Sequence, residues 1–190
     1  MGKILDNIRD KYYPESKIVG TKDNCLVTNN NTVIKETRYG SGMAKKGFHG
    51  HGNQLHVFTF HNELHWLNLL KESGFTPKLV SYDESLLTIE MTYVGQTITK
   101  ENIPSNWKDQ CEHIIATLKL YNCSHNDIKP EDILVDNETL YLVDFGWATT
   151  INADIPTFWP ESIGGDFKYQ PSKFNDEYSL ISSINYVLEK

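Results

Sequence analysis

Apolar and polar positions divide the chain into short alternating segments and a few helical stripes. Ile4, Leu5, Ile8 and Tyr12 fall on one helical face over 1–13, and Pro14 stops that helix. Residues 17–35 read as three short strands with turns at Lys22-Asp23-Asn24 and Asn29-Asn30-Asn31; Thr32-Val33-Ile34-Lys35 carries the alternation. Residues 60–70, with Leu64, Trp66, Leu67 and Leu70, predict a helix ended by Gly74 and Pro77. A hairpin follows over 78–82 and 86–93, turning at Asp83-Glu84-Ser85, with Leu87, Ile89 and Met91 inward. Residues 104–121 predict a helix with Ser105 as cap and Trp107, Cys111, Ile114, Ile115, Leu118 and Tyr121 as its buried stripe. Ile133-Leu134-Val135 and 140–143 read as two strands around a turn at Asp136-Asn137. A last helix from Asp176 has Leu180, Ile181, Ile184, Val187 and Leu188 as its apolar face. The pattern is α+β.

With 190 residues the chain is long enough for one compact domain that buries most of its unfolded surface. A formal net charge of −7 argues against broad phosphate-backbone binding, and so against nucleic acid as a partner. No apolar run is long enough to span a bilayer, and the first residues lack a secretory h-region and a myristoylation pattern. Cys25, Cys111 and Cys123 have no C-x-x-C spacing, which suits reduced thiols and a cytoplasmic setting. The stretch 40–53, rich in Gly, reads as a loop. Three readings compete for it: a solvated insertion, a lid, or a metal site using His49, His51 and His56.

The chemistry concentrates in 124–148. Asp127 follows His125-Asn126, Asp132 comes five residues later, and Asp144 opens Asp-Phe-Gly. The predicted hairpin brings these three carboxylates to one end of a sheet, where they repel unless a divalent cation or a proton is shared among them.

This stretch resembles the catalytic and metal-binding loops of the protein-kinase family, H-R-D-L-x-x-x-N followed by D-F-G. His125, Asp127, Lys129, Pro130, Asp144, Phe145 and Gly146 match; Asn126 replaces the Arg and Asp132 the metal-binding Asn. The resemblance implies one kinase-like domain over 1–190 with a two-lobed fold. Its N-lobe, about 1–93, is a small antiparallel sheet with one helix; the hinge is about 92–96; the C-lobe, about 97–190, is mostly helical and truncated. ATP and Mg²⁺ are the implied cofactors. Asp127 would accept the acceptor's proton, Lys129 would reach the γ-phosphate, and Asp132 and Asp144 would hold Mg²⁺.

Further residues enter through the same resemblance. Val33-Ile34-Lys35 resembles V-A-I-K, whose Lys holds the α- and β-phosphates and pairs with a helix Glu, here Glu63; Lys35 read alone is an edge charge, and Glu63 a first-turn acid favoured by the helix dipole. The Gly-rich phosphate loop is poorly represented, with only Gly20 before Lys35. Met91-Thr92-Tyr93-Val94-Gly95 resembles the hinge, where backbone groups of Thr92 and Val94 would meet the adenine edge and Met91 would be gatekeeper. Trp159-Pro160-Glu161 faintly resembles A-P-E. Asn175 to Leu180 resembles D-x-[WY]-S-x-G, whose Asp braces the catalytic loop; Asp176 read alone is a helix cap. Asn cannot pair with an activation-loop phosphate as Arg does, so activity without phosphorylation of that segment is expected. The acceptor is a hydroxyl, of a protein Ser/Thr or of a carbohydrate, glycan or other small molecule. A nucleotide-binding pseudokinase is the remaining alternative.

Overall fold

The computed structural model describes residues 4–19, 24–37, 52–154, 156, 159–160, 162–167 and 174–190. The phosphate-loop position at Gly20, the loop residues His49 and His51, and Glu161 lie outside the described residues. The chain divides into two compact units: residues 1–68 with 78–93, and residues 69–77 with 94–190.

In the first unit α1 (Ile4–Tyr12) precedes β1 (Lys17–Val19), β2 (Cys25–Val27) and β3 (Thr32–Glu36). Helix α2 (Gly52–Leu69) is followed by β4 (Leu79–Asp83) and β5 (Thr88–Thr92). Among the described residues the sheet is antiparallel with five strands in the order β1-β2-β3-β5-β4. Leu5 of α1 packs with Leu26 and Ile34, and Ile8, Tyr13 and Ile18 pack against them. Tyr13 takes the place expected of Tyr12, which is exposed. Because strand side chains alternate, Ile34 turns to this core and Lys35 to the opposite face.

Helix α2 begins well before Phe60. Glu63 therefore sits in its second half, which removes the first-turn dipole account of that residue. The second hairpin turns through 84–87, where Leu87 adopts φ +51°; Ile89 and Met91 are buried as expected.

The second unit contains β6 (Gln96–Thr97), α3 (Trp107–Leu120), β7 (Cys123–Ser124), β8 (Ile133–Asp136), β9 (Thr139–Leu142), β10 (Thr149–Thr150) and α4 (Asp176–Glu189). Among the described residues its strands form a three-stranded sheet, β6-β8-β9, and a two-stranded ladder, β10-β7. Helix α3 starts one residue later than expected from a Ser105 cap: Asn106 occupies the N-cap, and its Oδ1 accepts from Gln110 Nε2 at 2.6 Å instead of capping a backbone N–H. Cys111, Ile114, Ile115 and Leu118 form its buried stripe; Leu180 and Ile184 are the fully buried apolar residues of α4. Burial pushes the Cys111 thiol up to about 12, so this cysteine is a core residue and not a nucleophile. No described helix is long and apolar enough to cross a membrane.

Candidate active site

The β8–β9 hairpin sets the position of the acids. Ile133, Val135, Leu140 and Leu142 point into the core, and the register pairs Ile133 with Leu142 and Asp136 with Thr139. The turn lies at Asn137 and Glu138, one residue later than predicted; both have positive φ (46° and 60°), as a two-residue hairpin turn that follows strand twist requires. At the open end Val143 N–H donates to Asp132 O at 3.0 Å, so Asp132 and Asp144 flank the same end of one ladder. Asp144 has φ +67° and turns the chain into a 3₁₀ turn over Phe145–Trp147.

The loop before the hairpin is held from two sides. Asp176 accepts from the backbone N–H of His125 at 2.6 Å and of Asn126 at 2.9 Å. Capping α4 falls instead to Asn175, which accepts from Tyr178 N–H at 3.0 Å. Asp176 thus braces the loop.

His125 is completely buried, and its ring meets Phe145 edge-on at 4.6 Å. Its Nδ1 accepts from Asp127 N–H at 3.3 Å, so the ring proton sits on Nε2, which donates to Val143 O at 2.9 Å. This neutral tautomer staples the Asp127 loop to the strand leading into Asp144. Burial pushes the imidazole below its usual range, against the pull of Asp176, the Val143 carbonyl, Asp127 and Asp144.

An unfolded His titrates near about 6.5, so below that pH the unfolded chain binds the extra proton. The stability from neutral His125 is complete above that value. It is lost as pH falls towards the folded pKa, at up to about 1.4 kcal/mol per pH unit. Chemical denaturation of wild type and His125→Gln between pH 5 and 7 checks this: the variant's stability should vary less with pH, and parallel curves would remove His125 as the titrating group.

Asp127, Lys129 and Asp132 form one cluster. Asp127 Oδ2 accepts from Lys129 Nζ at 2.6 Å, and its Oδ1 from the backbone N–H of Gly164 at 2.5 Å. Lys129 Nζ also lies 3.0 Å from Asp132 Oδ2, as an ion pair. Burial works against the ammonium, yet the carboxylates of Asp132, Asp127 and Asp144 outweigh it and hold Lys129 above its usual range. The shared cation is therefore partly supplied by the chain itself.

Asp132 is buried, and its Oδ2 has no aligned hydrogen-bond donor despite the nearby ammonium. Burial raises its pKa; Asp144 and Asp127 add to this and Lys129 opposes it. A buried carboxylate oxygen short of donors, beside a second carboxylate, fits a hard divalent cation. Among the described residues no three His, Cys, Asp or Glu form a self-sufficient metal cage. A cation with two protein carboxylates and the rest of its shell from phosphate and water matches the habit of Mg²⁺.

In the first unit Lys35 Nζ contacts both carboxylate oxygens of Glu63, at 2.8 and 2.7 Å, and Glu63 is only 2% exposed. Thr92 ends β5; its N–H donates to Lys78 O at 2.9 Å, and its hydroxyl accepts from Lys78 N–H at 2.9 Å. Val94 is buried. Two participants had no place among the expected site residues. Gly164 acts through its backbone, which leaves no side-chain signature beyond a Gly-Gly turn. Asn126 enters the sequence reading as the departure that makes phosphorylation of the activation segment unnecessary, not as a side chain that holds the site; an Asn tolerates the left-handed φ of +69° it adopts.

No family model matches the chain. A probable bifunctional tRNA threonylcarbamoyladenosine biosynthesis protein of Methanococcus maripaludis is 31% identical over 88 residues, 44% of this chain and 16% of that protein. The dual specificity protein kinase Ttk of Danio rerio is 27% identical over 128 residues, 60% of this chain and 13% of that protein. The chain thus spans under a fifth of the length of these curated relatives. Among solved structures, the Cydia pomonella granulovirus kinase PK-1 superposes with a TM-score of 0.56 at 14% identity, covering 97% of this chain and 74% of that one. The Chaetomium thermophilum Rio2 kinase, in an ADP/Mg²⁺-phosphoaspartate complex, gives 0.53 at 18% identity over 78% and 53% of the two chains. The chain has a protein-kinase-like fold. Its departures from the kinase loop pattern are Asn126 and Asp132.

Proposed function

We propose that the chain is an ATP- and Mg²⁺-dependent kinase that transfers the γ-phosphate to a hydroxyl, in the first instance of a protein Ser or Thr, in a cytoplasmic setting. One observation carries the reading: Asp127, Lys129 and Asp132 are packed together, and Asp132 and Asp144 flank the end of one hairpin with a buried carboxylate oxygen still lacking an aligned donor. The ADP/Mg²⁺ in the Rio2 complex supports nucleotide and Mg²⁺ use.

In this reading Asp132 and Asp144 hold the cation, which when bound neutralises charge on the β- and γ-phosphate oxygens. Asp127 orients the acceptor hydroxyl and takes its proton. Lys129 balances the acids and turns to the γ-phosphate. Lys35 holds the α- and β-phosphates, aimed by Glu63, and backbone groups of Thr92 and Val94 meet the adenine edge.

Lys35→Met is expected to slow transfer by about 10²–10³, the usual cost of one preorganised charge. It also takes from the buried Glu63 carboxylate its ion pair with Lys35, at up to about 3–5 kcal/mol. Lys35→Met/Glu63→Gln should recover most of that stability without recovering transfer. Thermal unfolding alongside Mg·ATP titration separates the two effects, and a double variant as active as wild type would remove Lys35 from the nucleotide.

The test of the whole reading is labelled ATP with Mg²⁺, assayed for hydrolysis, self-labelling and transfer to protein, glycan and small-molecule panels. Transfer to sugars alone would select the carbohydrate or small-molecule kinase. One observation favours a nucleotide-binding pseudokinase as second reading: both Asp127 oxygens already accept a hydrogen bond from the chain itself, so an acceptor hydroxyl has to share an oxygen with Lys129 or with the Gly164 N–H. A thermal shift with Mg·ATP and no turnover on any panel would select it.

A further inference from the structure

Asn126 is 5% exposed and makes more hydrogen bonds than its place in the loop requires. Its Oδ1 accepts from Ser124 Oγ at 2.8 Å. Its Nδ2 lies 3.1 Å from Ser124 O, 2.9 Å from Trp147 O and 3.0 Å from Thr149 Oγ1. An amide nitrogen has two hydrogens, so one is shared between acceptors; both amide hydrogens are engaged, and the amide oxygen holds one donor.

Two of these partners lie outside the loop. Trp147 and Thr149 come three and five residues after Asp144, by 147 − 144 and 149 − 144. One side chain next to Asp127 therefore ties down the segment that leaves Asp144. The tie sits within a ladder, since Thr149 pairs with Ser124 across β10 and β7. It is backed by aromatic packing: the buried Trp147 ring meets Trp159 at 5.2 Å, and Trp159 meets Phe174 at 6.4 Å. The backbone of Asn126 is fixed in turn by Asp176. All the side-chain partners are neutral carbonyls and hydroxyls.

We propose that Asn126 is a positioning residue: its amide clasps Trp147 and Thr149 so that Asp127 and Asp144 keep a fixed relation without any added charge or covalent modification. The inference rests on the kinase reading and names how that site is held in its working form. A side chain that merely satisfied buried polar groups would affect stability alone. A positioning residue also changes how well Asp144 takes its cation, because the segment leaving Asp144 is what it restrains. A misplacement of about 1 Å can cost about 10²-fold in rate.

The experiment uses the full chain, phosphatase-treated and shown by mass to be unmodified, as wild type, Asn126→Ala, Asn126→Asp and Thr149→Val. Transfer is measured across a Mg²⁺ series well below each unfolding midpoint, and amide exchange is followed over 147–151. Asn126→Asp keeps the volume but presents lone pairs to the Trp147 carbonyl. Expected are an active unmodified wild type, a fall of about 10–100-fold in maximal rate for both Asn126 variants, a several-fold rise in half-saturating Mg²⁺, and faster exchange over 147–151. Thr149→Val should move each readout the same way by less. An unmodified wild type that becomes active only after phosphorylation overturns the inference and leaves the kinase reading standing. Asn126 variants with wild-type rate and Mg²⁺ demand do the same, whatever their unfolding midpoints. A wild type inactive in every state overturns the kinase reading, and the inference with it.

Discussion

Asp127→Asn is expected to abolish phosphoryl transfer while leaving Mg·ATP binding within a few-fold of wild type. A positioned general base contributes about 10²–10⁴ in rate, or about 2.7–5.5 kcal/mol of barrier. The substitution removes the base without changing side-chain volume. Binding should survive because in the proposed function the cation is assigned to Asp132 and Asp144, and Lys129 retains its ion pair with Asp132 at 3.0 Å. The fold is not untouched. Asp127 now accepts from both Gly164 N–H and Lys129 Nζ, and an amide offers only one acceptor oxygen. One donor then loses its partner, at about 1–3 kcal/mol. Unfolding midpoints must therefore accompany single-turnover transfer and nucleotide titration. Transfer within about threefold of wild type, far inside the range for a lost base, would sink the assignment. Loss of Mg·ATP binding together with transfer would move Asp127 into the cation site.

What could be read without coordinates follows from where the information is stored. The β8–β9 hairpin was legible because apolar Ile133, Val135, Leu140 and Leu142 alternate across a turn that tolerates positive φ. Lys35 and Glu63 were legible only through the resemblance, since a strand-end Lys and a helix Glu are common side chains; the structure pairs them at 2.7–2.8 Å. The start of α2 was not legible. Its first residues, Gly52-Asn53-Gln54, continue a Gly- and His-rich stretch with no apolar stripe, and the helix carries apolar residues on several sides. Asp176 could be read two ways because Asn175 and Asp176 are both good caps; the extended backbone of Asn175, with φ −139°, gave it the cap and freed Asp176 for the loop. The Gly164 contact with Asp127 runs through a backbone N–H, which every residue but Pro carries, so nothing in the sequence distinguishes it.

Gly95→Ala is expected to be among the most destabilising single substitutions in the chain. Gly95 has φ +91°, where a side chain is strained by about 1–3 kcal/mol. The space is also closed: a Cβ there would collide with Val135 O, and would lie 2.5 Å from the Val135 carbonyl carbon and 2.8 Å from Asp136 Cβ. Two of these three are backbone atoms, so no rotamer change relieves the contact, and overpacking adds about 1–3 kcal/mol. The alternative is separation of β6 from β8, which gives up the pairing of Gln96 with Val135 and Thr97 with Leu134. A total of about 2–6 kcal/mol corresponds to a fall of about 5–20 °C in Tm for a chain of this size. Gly74→Ala separates the two causes. Gly74 has φ +81° with nothing within 4 Å of a new Cβ, so that variant carries the backbone strain without the clash. Gly95→Ala should lose clearly more stability than Gly74→Ala in the same thermal melt, and equal losses would mean that β6 does not approach Val135 this closely.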